Sequence, residues 1–538
     1  MKRFSTTLIV LTSFAINAQT QYNLDFNNVK ASINTNGILF EDGANNSAGY
    51  EVPKNGGVSA IFSSAFWFSG EFLATGQFHL AAQTNSTALD LTTGPLSAFG
   101  GGVSPSGVAF GDANIIPSEI TVYDRIWTIS QVEIDNHLQN WNVAGYVAPQ
   151  DLLDWPVHGD ISLGQDYYIA PFYDNPNGPN GSNGEYLPLI DGDVPLIRGD
   201  KASYMILNDK GSVHASGGIP IGLELHYMIY QYGTTDYLNN TTFVNLKVMN
   251  RGTITLSDFK VGNHTDGDIG SGADDFFGSD SARSLMYTYN SDLNDDGGTA
   301  NYGLNPPAIG VKLLNHNAGV IGYNSSSAAL TTSPTLSSQY YGYMQGNWGN
   351  SGSPFMYGDD GVNGTVPTNF LFSDINGWNE SSVGSAPADR KMFMCAEGVT
   401  LNPGDLICYD FAFLYGRSDE GTVDGSVLKL LNIADSVQVF YNDQNYVDCT
   451  NQPVTSLAVE ENSQLNDFVI YPNPSTDYFQ IKMDGEFDVM LYTMDGKLVF
   501  LKTNLNTNDM ISHNTPSGMY IVKVSQKSKT SYQRVLIE

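Results

Sequence analysis

The sequence predicts an all-β protein, with a β-sandwich-type main region carrying long loops and a small C-terminal antiparallel β-sandwich. Three observations lead there. Charged residues make up only 15% of the 538, while 30 Tyr, 27 Phe and 55 Gly supply the aromatics that strands favour and the turns between them. Short alternating or continuously apolar runs recur between Gly- and Asn-rich punctuation. Helical periodicity is almost absent; the exception is 426–441, where Val427, Leu430, Leu431, Ala434, Val437 and Phe440 share one face.

Taken in order, residues 1–18 read as a secretory signal. Lys2 and Arg3 precede an apolar run from Leu8 to Ile16, and Ala18 supplies a small residue at the cut. That run is about half the length a membrane span needs, and no later segment is apolar enough to cross. The mature chain is expected to start near Gln19 and, without a lipobox cysteine, to carry no lipid. Residues 19–449 form the β-rich main region, as one domain or as two with a break near 215. Its clearest strands are Leu223–Tyr230, Thr242–Met249 and Leu406–Phe413. Pro220 keeps the lead-in to the first of these out of central strand pairing.

A polar linker, 450–466, leads to the last segment, 467–538. Phe468-Val469-Ile470 runs into Tyr471-Pro472-Asn473-Pro474, and alternating apolar residues follow at Phe479 and Ile481. Asp495-Gly496-Lys497 turns between Val489–Tyr492 and Leu498–Phe500, a strong hairpin signal. Gly518-Met519-Tyr520-Ile521-Val522 and Arg534–Ile537 supply closing strands, giving an antiparallel sandwich of about 70 residues. In the order of these motifs the segment resembles the type A C-terminal sorting domain of type IX secretion cargo. The resemblance implies an export address, read by a shuttle at the outer membrane and cut by a sortase-like peptidase. It implies a protein released from the cell or attached to its surface.

The main region resembles a large, uncharacterised family of secreted proteins that carry this same domain. The matching pieces include Phe66-Trp67-Phe68-Ser69-Gly70, Tyr123-Asp124-Arg125-Ile126-Trp127, Trp155-Pro156-Val157-His158-Gly159-Asp160, Ala170-Pro171-Phe172-Tyr173-Asp174 and Ala388-Asp389-Arg390. The likeness implies no activity.

Fifty-six acidic against 24 basic residues give a net charge of −32, which repels nucleic acid. The excess acid reads either as solubility or as calcium coordination, which gathers several hard oxygens on one ion. Two acidic stretches are candidates. One contains Asp174, Asp191 and Asp193 with intervening Asn residues; the other contains Asp266, Asp268, Asp274, Asp275 and Asp280. The second continues into Asp292, Asn294 and Asp296 at alternate positions before Gly297, like the first half of an EF-hand loop. Gly303 stands where the bidentate Glu belongs, so a complete EF-hand is excluded. The plain alternative is an Asx-rich surface turn.

Of the three cysteines, Cys395 and Cys408 are positioned to face each other across a turn at Asn402-Pro403-Gly404-Asp405, but buried free thiols are the expected state. No nucleophile elbow, phosphate loop or HExxH occurs, and the eight histidines are scattered. Tyr340, Tyr341, Tyr343, Trp348 and Trp378 are candidate platforms for sugar rings or, on the plainer reading, core residues. Arg198-Gly199-Asp200 reads as a chance integrin tripeptide. The expectation is an adhesin-like, gliding-associated or surface-assembly protein with a glycan or protein partner and calcium-stiffened loops. A secreted hydrolase acting on polysaccharide or protein is the alternative.

Overall fold

Strands such as Leu223–Gln231 are buried on both faces, and two packed layers explain why. The computed structural model describes residues 21–97, 112–211, 213–298, 300–325, 331–444, 446, 449–455, 468–483, 485–493, 498–526 and 529–538. The expected signal (1–18), most of the expected linker and Asp495, Gly496 and Lys497 lie outside them. A nine-stranded sheet runs in the order Trp127–Ser130, Lys201–Asn208, Leu223–Gln231, Thr242–Asn250, Leu406–Gly416, Ala308–Leu313, Leu285–Asn290, Asp275–Asp280, with Thr92–Thr93 also pairing to Lys201–Asn208. A six-stranded sheet runs Ala318–Asn324, Lys391–Ala396, Leu256–Asp266, Ser63–Phe72, Phe78–Ala82, with Val399–Leu401 beside Leu256–Asp266. All these pairings are antiparallel.

The alternation within each strand assigns its side chains to two cores. Leu223, Leu225, Tyr227 and Ile229 point between the sheets, joined by Val244, Leu246, Val248, Phe411 and Phe413. Phe66 of the smaller sheet meets Phe411 at 5.0 Å and Tyr227 at 5.6 Å between ring centroids, and such pairs add about 0.5–1.5 kcal/mol beyond burial. Met228, Tyr230, Phe243, Ala412 and Leu414 point the other way, into a second core. That core is roofed by the helix Gly425–Asp443 through Val427, Leu430, Ala434 and Val437. The helix lies so close that a Cβ at Gly416 would fall 2.8 Å from the backbone nitrogen of Leu430.

Residue 215 lies in the connection between Lys201–Asn208 and Leu223–Gln231, which pair directly with each other. The three expected strands and the helix stand where their periodicity put them. Shorter helices at Gln131–Asn140 and Ser337–Met344 join them.

The cysteines depart from expectation. Cys408 is bonded to Cys449, and Cys395 alone is a buried free thiol. The turn at 402–405 does not close a hairpin. It carries the chain from Val399–Leu401, in the smaller sheet, to Leu406–Gly416, in the larger, so Cys395 and Cys408 stand in different layers. Beyond Cys449 the chain stays clamped to the main region: Lys247 Nζ donates to the carbonyl of Thr450 (2.5 Å) and Oδ1 of Asn451 (2.7 Å), and Val454 exchanges backbone bonds with Phe172 and Asp174.

The C-terminal segment is a second sandwich. Val469–Tyr471, Tyr478–Lys482 and Ile511–Ser512 form one sheet; Leu498–Leu505, Phe487–Thr493, Gly518–Gln526 and Lys529–Ile537 form the other. Phe468, Phe479, Ile481, Val489, Leu491, Val522 and Val535 fill the space between. It rests on the main region through Phe26 stacked on Tyr492 at 5.7 Å and through Lys523 bonded to Asp200 at 2.8 Å.

Candidate functional site

The strand Leu256–Asp266 runs antiparallel to Lys391–Ala396 in a register that sets Asp266 opposite Lys391. Asp268 lies just past the end of the first strand and Asp389 just before the second. One carboxylate oxygen from each of Asp266, Asp268 and Asp389 lies within 4.8 Å of the other two. A calcium ion bound at about 2.4 Å spans its ligand oxygens by no more than about that distance. The Lys391 ammonium bonds Asp266 and lies 3.2 Å from Asp389, so one cation faces three carboxylates. Oδ1 of Asp266 is buried and meets no hydrogen-bond donor among the described residues.

The electrostatics record that deficit. Burial, then the neighbouring Asp268, pushes the Asp266 carboxyl up to about 7, although Lys391 pulls it down. Burial and Asp389 push Asp268 up to about 6. Burial likewise raises the pKa of Asp275 well above the ordinary range and raises that of Asp274 and Asp295. The Lys391 ammonium is weakened by burial but strengthened on balance by Asp266 and Asp389.

Other acids named from the sequence are used differently. Asp275 accepts from the Ile269 amide at 3.0 Å and, among the described residues, finds no donor for its second oxygen. Asp280 caps a turn and pairs with Arg283 at 2.6 Å. In the Asp292–Asp296 loop, Asp292 accepts from the Asn294 amide (2.7 Å) and the Asn294 side chain donates to Asp296 (3.0 Å), an Asx turn closed on itself. Asp174, Asp191 and Asp193 are buried loop staples. Gly184 donates to Asp174 (2.7 Å), Asn180 to Asp191 (2.9 Å), and Asn175 and Leu187 to Asp193 (2.8 and 2.7 Å). Burial raises Asp193 to about 6.

Four of the five aromatic candidates are core residues; the fifth, Tyr341, is half-buried, stacked on Phe78 at 4.5 Å and donating to Glu71 at 2.6 Å. Tyr340, Tyr343, Trp348 and Trp378 are buried, with their rings against Trp67, Phe393, Phe355 and Phe372, so no sugar ring can lie on them. Arg198 is held by Asp410 at 2.6 Å and Asp200 by Lys523, which rules the tripeptide out as an exposed ligand. His264 is stacked on Trp67, and burial lowers it to about 3, so it stays neutral.

Sequence reasoning missed Asp389 and Lys391 as site residues. It also missed a polar cleft of about 400 Å³ on the smaller sheet, bordered by Asp258, Lys260, Gln345, Asn369, Phe370 and Glu397. Nothing in the local sequence marks the cleft, because its walls come from five separate stretches, Ala318–Val320 among them.

The sorting-domain motif is locked to the end of the chain. Asn473 donates to the carbonyl of Arg534 (3.0 Å) and accepts from the Leu536 amide (2.9 Å), while Ser475 donates to the carbonyl of Leu536 (2.8 Å). Tyr471 bonds Asn508; Gly518 opens a central strand in which Tyr520 donates to the carbonyl of Pro516 at 2.8 Å. Pro472 and Pro474 flank Asn473.

No helix among the described residues is long and apolar enough to cross a membrane. No curated protein matches the sequence. Among solved structures, a polysaccharide lyase is similar over 58% of this chain at 9% identity and a TM-score of 0.18; the match spans only 34% of that protein. A putative aldose 1-epimerase from Escherichia coli K12 is similar over 74% of this chain and 99% of its own, at 9% identity and a TM-score of 0.25. At these scores neither likeness bears on chemistry. Residues 469–538 match the family model of the secretion system C-terminal sorting domain, and the protein is exported by type IX secretion to the cell surface or the extracellular space.

Proposed function

We propose that the main region is a non-enzymatic binding or surface-assembly module, adhesive in character, whose loops are stiffened by a calcium ion held by Asp266, Asp268 and Asp389. The observation that carries this reading is the convergence of three carboxylates around a buried oxygen with no donor. Calcium supplies the positive charge that Lys391 alone does not, and it ties the end of one central strand to the start of its neighbour. Burial, together with repulsion from Asp268, Asp274 and Asp295, raises the neighbouring Asp275 carboxyl. Through its C-terminal domain the chain would engage the outer-membrane shuttle and the sortase-like peptidase of its secretion route.

The hydrolase reading draws support from one feature, two adjacent carboxyls that titrate near 7 and 6. It ranks second because the Asp266 side chain is only 11% exposed, whereas a catalytic carboxyl must come within hydrogen-bond reach of its substrate.

Melting the purified chain in millimolar calcium and then in excess chelator tests the first reading. Saturation at a hundredfold over Kd stabilises by about 2.7 kcal/mol, or about 3 °C for a body of roughly 400 residues. The shift should vanish in Asp268→Ala and Asp389→Asn. An unchanged midpoint in the unmodified chain would sink the calcium assignment.

A further inference from the structure

We propose that the cleft bordered by Asp258, Lys260, Gln345, Asn369 and Glu397 is a binding site for a neutral saccharide. It shares no residue with the carboxylate trio. Its volume of about 400 Å³ falls within the roughly 300–1,000 Å³ typical of small-ligand sites.

The floor is built by a β-bulge. Pairing of Leu256–Asp266 with both neighbouring strands slips between Leu256 and Lys260, and Asp258 takes up the slack at φ +47°. The bulge turns the Asp258 carboxylate out of the sheet. Oδ2 of Asp258 accepts from Gln345 Nε2 at 2.9 Å and from Lys260 Nζ at 3.1 Å, and Lys260 also donates to Gln345 Oε1 at 2.5 Å. All three side chains are thereby fixed in orientation before any ligand arrives. Gly398 packs directly against Asp258; a Cβ there would sit 2.0 Å from Asp258 Oδ1, so only glycine lets the two segments close up.

The rim differs in kind. Asn369 and Glu397 are exposed, and neither side chain has a hydrogen-bond or ionic partner within the described residues. Phe370 is half-buried beside them and offers an apolar ring. The lining as a whole selects by charge and by hydrogen-bond type. An anion would face two carboxylates with a single ammonium that is already paired. An apolar ligand would strand every polar group on the wall. A cation would find Glu397 alone, since Asp258 is already neutralised by Lys260. Sugar hydroxyls each donate and accept, and the amide, carboxylate and ammonium groups here supply both complements. The C–H face of a sugar ring suits the Phe370 ring.

The test uses the full chain, with isothermal titration and ligand-observed NMR against cellotetraose, mannotetraose and N-acetylchitotetraose; oligogalacturonate and spermidine serve as charged probes. At least one neutral tetrasaccharide should bind in chelator as well as in calcium. Asn369→Ala and Glu397→Ala should each weaken it roughly threefold to tenfold, the value of one hydrogen bond. Both positions are exposed, so the melting temperature should not move and a folding defect cannot mimic the loss. The proposal is overturned if no neutral tetrasaccharide binds, or if spermidine or oligogalacturonate is the probe that depends on these two residues. Neutral binding that survives both substitutions, or that chelator abolishes, overturns it as well. A chain that binds sugar but shows no calcium shift would leave this site standing and remove the cation.

Discussion

Replacing Lys391 by Met separates the electrostatics of the carboxylate cluster from its packing. The ammonium bonds Asp266 and lies 3.2 Å from Asp389, with 19% of its side chain exposed. Removing one partner of a buried ion pair costs about 3–5 kcal/mol, because the other charge is left without compensation. Partial exposure at this cluster lowers that to about 2–3 kcal/mol at about pH 8, where Asp266 and Asp268 are both ionised. The pH dependence follows from the raised carboxyls. Asp266 has a folded pKa of about 7 against an ordinary 3.8, so its protonated form favours the fold. The stability it lends is fully present below about pH 4 and is lost as pH rises through about 7; Asp268 behaves alike through about 6. At about pH 5 both are largely neutral, Lys391 keeps only the part-exposed Asp389, and its removal costs about 1 kcal/mol or less. Thermal melts in chelator should therefore show Lys391→Met about 3 °C below the unmodified chain at about pH 8, and about 1 °C below it at about pH 5. Calcium should recover most of the deficit at the higher pH, since the ion replaces the missing charge. An equal drop at both pH values, or no recovery by calcium, would refute the electrostatic account.

Cys449→Ser opens a disulfide whose cysteines are 41 positions apart and should cost about 3–4 kcal/mol in urea unfolding. Native protein should leave Cys395 unalkylated, since burial pushes its thiol up to about 12; mass spectrometry after iodoacetamide treatment checks this, and modification before unfolding would contradict it. Asp209→Ala should cost about 3 kcal/mol or more, because the buried Asp209 carboxylate accepts from the amides of Ile221, Gly222 and Leu223 at 2.5, 2.8 and 2.7 Å; a loss below about 1 kcal/mol would mean that water replaces it.

Strands whose side chains divide between two cores announced themselves in the sequence. Leu223–Gln231 alternates large residues for the inter-sheet layer with Met228 and Tyr230 for the outer one, and the pattern needs no partner to be visible. The helix Gly425–Asp443 was visible for the same reason, as its stripe repeats on one face. The short helix Gln131–Asn140 carried a signal that periodicity overlooks: Ser130 and Glu133 form a reciprocal capping box, and Ser-x-x-Glu before Ile134 spells it. The disulfide was not legible, because pairing depends on which layer each cysteine occupies. Asn402-Pro403-Gly404-Asp405 has the composition of a hairpin turn but serves as a corner between layers.

The candidate site divides along the same line. Asp266 and Asp268 stood out as neighbours in an acidic stretch, whereas Asp389 lies in a loop with no acidic run and acquires its position from the register that places Lys391 opposite Asp266. Density of acid in the sequence was a poor guide to unmet charge. The Asp174–Asp193 loop is as rich in carboxylates, yet backbone amides reach each of the three, and in Asp292–Asp296 the side chains answer one another. What distinguishes the 266–268 cluster is that it begins where a strand ends. Leu256–Asp266 pairs on both sides up to Asp266, so its backbone donors are spent in the sheet and cannot turn back to the side chains. A carboxylate leaving such a strand must be met from another segment, and the neighbouring strand brings one lysine and one more carboxylate. A cation is the simplest group that balances that arrangement.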